Sequence, residues 1–349
     1  MSSFIKLLLP NIINCLHPFI SGSTSIQNNF HEWTGEKKYL LKQWSWPVPA
    51  LVTKYESQDE HNWNWNPSKG FYALAELLRD QHHPITDRLV YQKNTRERIL
   101  HAYQMEFLKA WMAGYSLIIG SEAFDNVIKD DDGDDMIDRF IDLLPFFGDE
   151  EEFDIDRITV VVTYRVPRVK HLISIWRETK KKNESFQKWI MTTRNRLGAT
   201  DSLGLAEKFL EKGFKVVIAD IHGISEEGYD ISNIIACQIL NATCTDDMQL
   251  VGSDPPLVMN TKQNFNGSIN LNEDQLDLMD MVMQRYDCKY LEMFDKYKDN
   301  DQLMTIYPTA LLNVIQSCGD REGDQKKIPD RATMKELLVC IADGNEVCE

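Results

Sequence analysis

The sequence predicts an α/β fold, a doubly wound parallel sheet flanked by helices. Three observations carry the prediction. Short apolar runs rich in β-branched residues stand at Tyr115–Gly120, from Ile158 to Val162, and at Phe214–Asp220. Helical periodicity fills the intervals between them, so strands are separated by crossovers rather than hairpins. No linker divides residues 12–300, which read as a single α/β domain, with 301–349 as a charged C-terminal extension.

In chain order, Ile12–Phe30 holds a short apolar piece, a small polar turn at Ser21–Ser25, and a helix opening near Ile26. Residues 33–68 are aromatic and irregular, with tryptophans at 46, 63 and 65, and read as a loop that covers a site. Leu74, Leu77 and Leu78 give a helix over Gly70–Arg79, and Ile99, Tyr103, Phe107 and Trp111 give another that stops at Gly114. After the Tyr115–Gly120 strand an acidic run, Lys129–Asp135, leads into an amphipathic helix. Helices are expected over Phe186–Leu197, Ser202–Glu211, Asp230–Leu240 and, as one long helix or a pair, Asn272–Phe294. Gly213 ends the second of these, residues 245–268 form a polar loop, and the tail beyond Cys318 holds one weak helix at Met334–Ile341.

Composition narrows the function classes. The chain has 349 residues, 43% of them hydrophobic, enough for a full core. A formal net charge of −16 argues against nucleic acid or an anionic membrane surface as partner. The apolar stretch Phe4–Ile13 is cut by Lys6, Pro10 and Asn11, is too short for a membrane span and lacks a clear signal-peptide layout; the compartment stays open between cytoplasm and secretory lumen. Seven cysteines without a CxxC pair indicate neither a zinc site nor a disulfide framework. Sequons at Asn183, Asn241 and Asn266 matter only for a secreted chain.

Asp156–Arg177 organises the rest. It reads as strand, tight turn and helix: Val160–Val162 end at Tyr164, Arg165 follows, Pro167 fits a first helical turn, and Val169, Leu172, Ile173 and Trp176 repeat at helical spacing. Arg165 is thereby carried to the carboxyl end of a buried strand beside a helix N-terminus, where parallel sheets collect anionic ligands. A planar, fixed cation there suits a phosphate.

Three stretches in this order resemble the sulfotransferase superfamily, a P-loop-like α/β fold. Arg165, Pro167 and Ser174 stand where that family holds the 3′-phosphate of its donor, with one residue more than usual between the arginine and the serine. Phe19–Gln27 resembles its phosphate loop: Ser21, Gly22, Ser23, Thr24 and Ser25 supply small residues and hydroxyls, with Ile20 where the family carries lysine. Glu122, just past the second strand, matches a glutamate that takes the acceptor proton in some members. The resemblance implies 3′-phosphoadenosine 5′-phosphosulfate as donor, a small-molecule or glycan hydroxyl as acceptor, and no metal.

Two further readings accompany it: a family member that has lost catalysis but binds nucleotide, motivated by Ile20, and a glycosyltransferase on a similar scaffold using the acidic loop. The string Asp131–Asp135 matches a diphosphate-binding motif of all-helical enzymes, which the strands here argue against, and it fails as a calcium loop because Ile128 and Arg139 fall on ligand positions. His171 and His222 stand in reserve as bases, and Asp220 as a loop anchor.

Overall fold

Every side chain of β4, Ile158–Tyr164, is buried except Thr159, as a strand apolar on both faces requires. Its surroundings come from a computed structural model that describes residues 12–16, 39–40, 116–121, 133–143, 158–178, 185–192, 201–239, 244–248, 271–297, 299–319 and 328–344, with 101, 104–105, 155, 269 and 348 besides. The other strands are β1 (Ile12–Leu16), β2 (Tyr39–Leu40), β3 (Ser116–Ser121), β5 (Lys215–Asp220) and β6 (Leu303–Ile306). They join β4 in one sheet of order β2-β3-β1-β4-β5-β6, every pair parallel.

Alternation along β4 and β5 divides the core. Val160, Val162, Tyr164, Val216 and Ile218 face one layer, while Val161, Val217 and Ala219 face the other. The first layer is covered by α2 (Arg168–Glu178), α3 (Phe186–Thr192), α4 (Ser202–Glu211), α7 (Glu273–Asp287) and α10 (Arg331–Ala342). The second is covered by α5 (Ile221–Glu226) and α6 (Ile231–Ile234), which runs on as a π-helical turn over Ile235–Ile239. A parallel sheet with helices on two faces is thus the observed α/β architecture. Upstream, α1 (Gly133–Leu143) starts inside the acidic run, so Asp134 and Asp135 fall in its first turn, where the helix dipole favours them. No helix among the described residues is long and apolar enough to cross a membrane.

Helix α2 buries Val169, Leu172, Ile173 and Trp176, the periodic set read from the sequence. Trp176 packs on Phe186 of α3 with ring centroids 5.4 Å apart. The expected Asn272–Phe294 helix is a pair: α7 closes in a 3₁₀ turn at Cys288–Tyr290 and continues as α8 (Leu291–Tyr297). Helix α7 opens with a reciprocal capping box between Asn272 and Gln275.

Two expectations are corrected. Residues 301–349 are no appendage, because β6 pairs with β5, and α9 (Thr309–Gly319) and α10 bury Leu311, Val314, Met334, Leu338 and Ile341. Cysteine spacing also misleads: Cys237–Cys244, Cys288–Cys318 and Cys340–Cys348 are disulfides. Pairing follows spatial proximity, which spacing alone does not reveal; Cα atoms in the three bridges lie 5.8, 5.5 and 5.8 Å apart.

Candidate functional site

Parallel pairing brings all strand carboxyl ends to one edge. Leu16, the last residue of β1, stands opposite Ser121 of β3 on one side and Val162 of β4 on the other. The chain leaves β1 toward β2 and β3 but leaves β4 toward β5, so the connections diverge between β1 and β4. That divergence is a topological switch point, where open α/β sheets open a crevice for ligands. Each of the three proposed motif segments follows one of these strands in sequence.

Arg165 comes directly after β4 and is half-buried. Val166–Pro167 is a cis peptide, and Pro167 stands just ahead of α2, its carbonyl accepting the Lys170 N–H at 3.1 Å. Ser174 lies within α2. The phosphate-loop candidates Ser21–Ser25, Ile20 and Glu122 lie outside the described residues, as do the tryptophans at 46, 63 and 65 and the three sequons.

The anion-friendly end of α2 has an occupant from the chain itself. The Val169 N–H donates to Asp280 of α7 at 3.0 Å. One residue earlier, Arg168 is 1% exposed and meets Asp287, with Nε 2.9 Å from Oδ2 and Nη2 3.3 Å from Oδ1. The Tyr164 hydroxyl donates to Asp287 Oδ2 at 2.7 Å, and its ring lies 5.2 Å from the guanidinium carbon. Burial is the largest single influence on Arg168 and opposes its charge, yet Asp287, Tyr164 and Asp201 together outweigh it and the guanidinium is held more firmly protonated than usual. Burial pushes the Asp287 carboxyl up to about 6 against the pull of Arg168 and Tyr164. Burial, then Asp287, raises the Tyr164 hydroxyl well above the ordinary phenol range. This triad anchors the chain on both sides of Arg165, at Tyr164 and at Arg168.

A second carboxylate closes the start of α4. Asp201 caps the helix by accepting the Gly204 N–H at 3.1 Å and also takes the hydroxyls of Tyr286 and Tyr290 at 2.7 and 2.6 Å. Lys289 sits 3.9 and 4.5 Å from those two ring centroids, its ammonium bonded to the Tyr286 hydroxyl. Burial comes first in lowering the Lys289 pKa, and burial followed by Asp201 raises both tyrosines. A filled set of donors on a capped helix is what a structural clamp needs.

The carboxyl end of β5 carries Asp220, whose expected anchoring role is visible atom by atom. Its Oδ1 accepts the N–H groups of His222 and Gly223 at 3.0 and 3.1 Å, and Oδ2 accepts that of Leu311 at 2.9 Å. One buried carboxylate therefore ties the starts of α5 and α9 together. Beside that joint is a cleft of about 300 Å³ that Val166, His222, Gln284, Thr309, Asn313 and Ser317 help to line. His222 Nε2 pairs with Glu226 Oε1 at 3.0 Å across one turn of α5. His171, the other reserve histidine, is fully buried on α2.

Sequence reasoning missed Arg168, Asp287 and the polar face of α9. For α9 a signal existed, since Thr309, Asn313 and Ser317 recur every four residues after Pro308. No protein-family model, no curated protein and no solved structure matches the chain.

Proposed function

We propose that the chain binds a 3′-phosphorylated adenosine nucleotide at the carboxyl edge between β1 and β4, and that it is a sulfotransferase. The strand order carries this reading. The stretch resembling a phosphate loop follows β1, Glu122 follows β3 and Arg165 follows β4, and these three strands are neighbours in the sheet. Arg165 meets the 3′-phosphate, and the hydroxyls and backbone N–H groups of Ser21–Ser25 meet the 5′-phosphate. In the transfer, an acceptor oxygen attacks sulfur in line, the bond from sulfur to the phosphate oxygen breaks, Glu122 takes the acceptor proton, and adenosine 3′,5′-bisphosphate departs. Ile20 supplies no charge to the leaving phosphate, so stabilisation there falls to the loop's N–H groups and hydroxyls.

The test is a thermal shift with adenosine 3′,5′-bisphosphate. At about a hundred times its dissociation constant the ligand stabilises the fold by roughly 2.7 kcal/mol, a clear rise in melting temperature. Arg165→Ala is expected to abolish most of that rise. An equal rise in the variant, or none in the wild type, removes the nucleotide assignment. Transfer of labelled sulfate from the donor by the wild-type chain then decides the chemistry, and transfer by Ile20→Lys alone marks a chain that binds without turning over.

A further inference from the structure

We infer that Tyr229 and Tyr307 form a docking site for a basic segment of a partner protein, one of whose arginine side chains rests on the two rings. Tyr307 follows the last residue of β6, and Tyr229 lies between α5 and α6. Their ring centroids are 5.5 Å apart with planes inclined at 48°, and both residues are half-buried. Since β6 is last in the sheet order, beyond β5, this site stands apart from the β1/β4 edge and does not depend on the nucleotide reading.

Irregular backbone converges on this pair. Among the described residues only Met248 and Tyr307 have a positive φ without being glycine, at 54° and 49°, and a π-helical turn runs over Ile235–Ile239. That turn supplies Gln238, which bonds the Tyr307 hydroxyl. It also supplies Cys237, whose bridge to Cys244 and 3.7 Å approach to the Met248 carbonyl hold the Thr245–Met248 turn alongside. Left-handed residues and π-turns concentrate at functional surfaces. Both rings stand on fixed backbone: the Tyr229 N–H donates to the Ile224 carbonyl at 3.1 Å, and the Tyr307 carbonyl accepts the Thr309 N–H at 2.9 Å. A ligand therefore meets rings already in place, which lowers the cost of binding.

Charge decides the partner. From Val216 to Thr261 the sequence has seven carboxylates and no lysine or arginine. Asp220 and Asp230 are engaged as helix caps and Glu226 faces His222, but Glu227, Asp246 and Asp247 stand exposed on two different segments. Burial first, then Tyr229 and Glu227, raise the Tyr307 hydroxyl above the ordinary phenol range against a hydrogen bond from Gln238, so the rings lie in a negative field. Aromatic faces beside carboxylates attract cations and repel anions. The cation is organic, because among the described residues no three histidine, cysteine or carboxylate side chains gather to hold a metal ion. Arginine suits a pair of rings, since its planar guanidinium stacks on them. A chain carrying several positive charges also reaches the carboxylates of both segments, which a compact ammonium does not.

Fluorescence anisotropy tests this with the full chain at low salt and a labelled nonapeptide in which arginine alternates with glycine. Saturable binding that weakens as salt rises is expected. Tyr229→Leu keeps apolar bulk but removes the ring, and should weaken binding about threefold or more, while Tyr229→Phe holds the wild-type affinity. Glu227→Gln should weaken it too, and carries the comparison should leucine lower the melting temperature. Asp277→Asn, at an exposed carboxylate of α7, should leave it unchanged. Absence of binding overturns the inference, as does unaltered binding in a folded Tyr229→Leu or in Glu227→Gln. Equal weakening by Asp277→Asn and Glu227→Gln overturns it as well, because net charge alone then accounts for the binding. Displacement of the peptide by an equal concentration of tetramethylammonium assigns the rings to a small ammonium and overturns the peptide partner.

Discussion

Asp287 shows how a single side chain sets a pH response. It is fully buried, accepts Tyr164 and Arg168, and has its carboxyl raised to about 6 by burial. In the unfolded chain the same group titrates near 3.9. Between those values the folded state holds a proton that the unfolded state has released, so this residue's contribution to stability falls as pH rises through the window and is level above it. Urea unfolding at pH 4, 5, 6 and 7 should therefore show wild type losing ground to Asp287→Asn, on the order of 2 kcal/mol in all. A difference that stays constant with pH contradicts the shift. The arginine in this pair also marks the limit of sequence reading. Arg165 and Arg168 look alike on either side of Pro167, and only a carboxylate 119 positions away decides which one is buried.

The joint between α5 and α9 is the clearest case at the scale of elements. A Cβ added at Gly223 would come within 2.1 Å of the Tyr307 carbonyl oxygen, a backbone atom with no freedom to swing aside. Tyr307 itself has a φ of 49°, the left-handed region, and its carbonyl also receives the Thr309 N–H. Gly223→Ala is expected to destabilise the fold by about 3 kcal/mol in urea unfolding, as overpacking against an immovable neighbour does, and a loss under about 0.5 kcal/mol contradicts the contact. Strands β4 and β5 and helices α2 and α4 were legible because each is a long run with one period. By contrast β6 is four residues in a charged tail, and α5 is six residues beginning at a strand's last bond, so neither carries enough periods to read. The motif residues were legible as types; their convergence on one edge needed the strand order.

Across the whole molecule, six of seven cysteines are paired, and only Cys15 has no cysteine left to join. Alkylation in concentrated guanidinium without reductant should label one thiol, and with reductant all seven. More than one label before reduction contradicts the pairing. The Cys288–Cys318 bridge closes a loop of 30 residues, for which chain entropy gives roughly 3–4 kcal/mol. Three bridges call for folding under oxidising conditions, which the spacing of the cysteines did not announce.

The pairing of β6 with β5 also bears on how the chain is made. Translation delivers β5 long before residues 303–306, and until they emerge one side of β5 offers an unsatisfied row of N–H and C=O groups. The intervening 82 positions, from Asp220 to Leu303, must be synthesised while that edge stands open. Such late, sequence-distant closure slows folding and exposes the nascent sheet to pairing with other chains. Synthesis of this protein thus carries a period of vulnerability that ends only when β6 arrives.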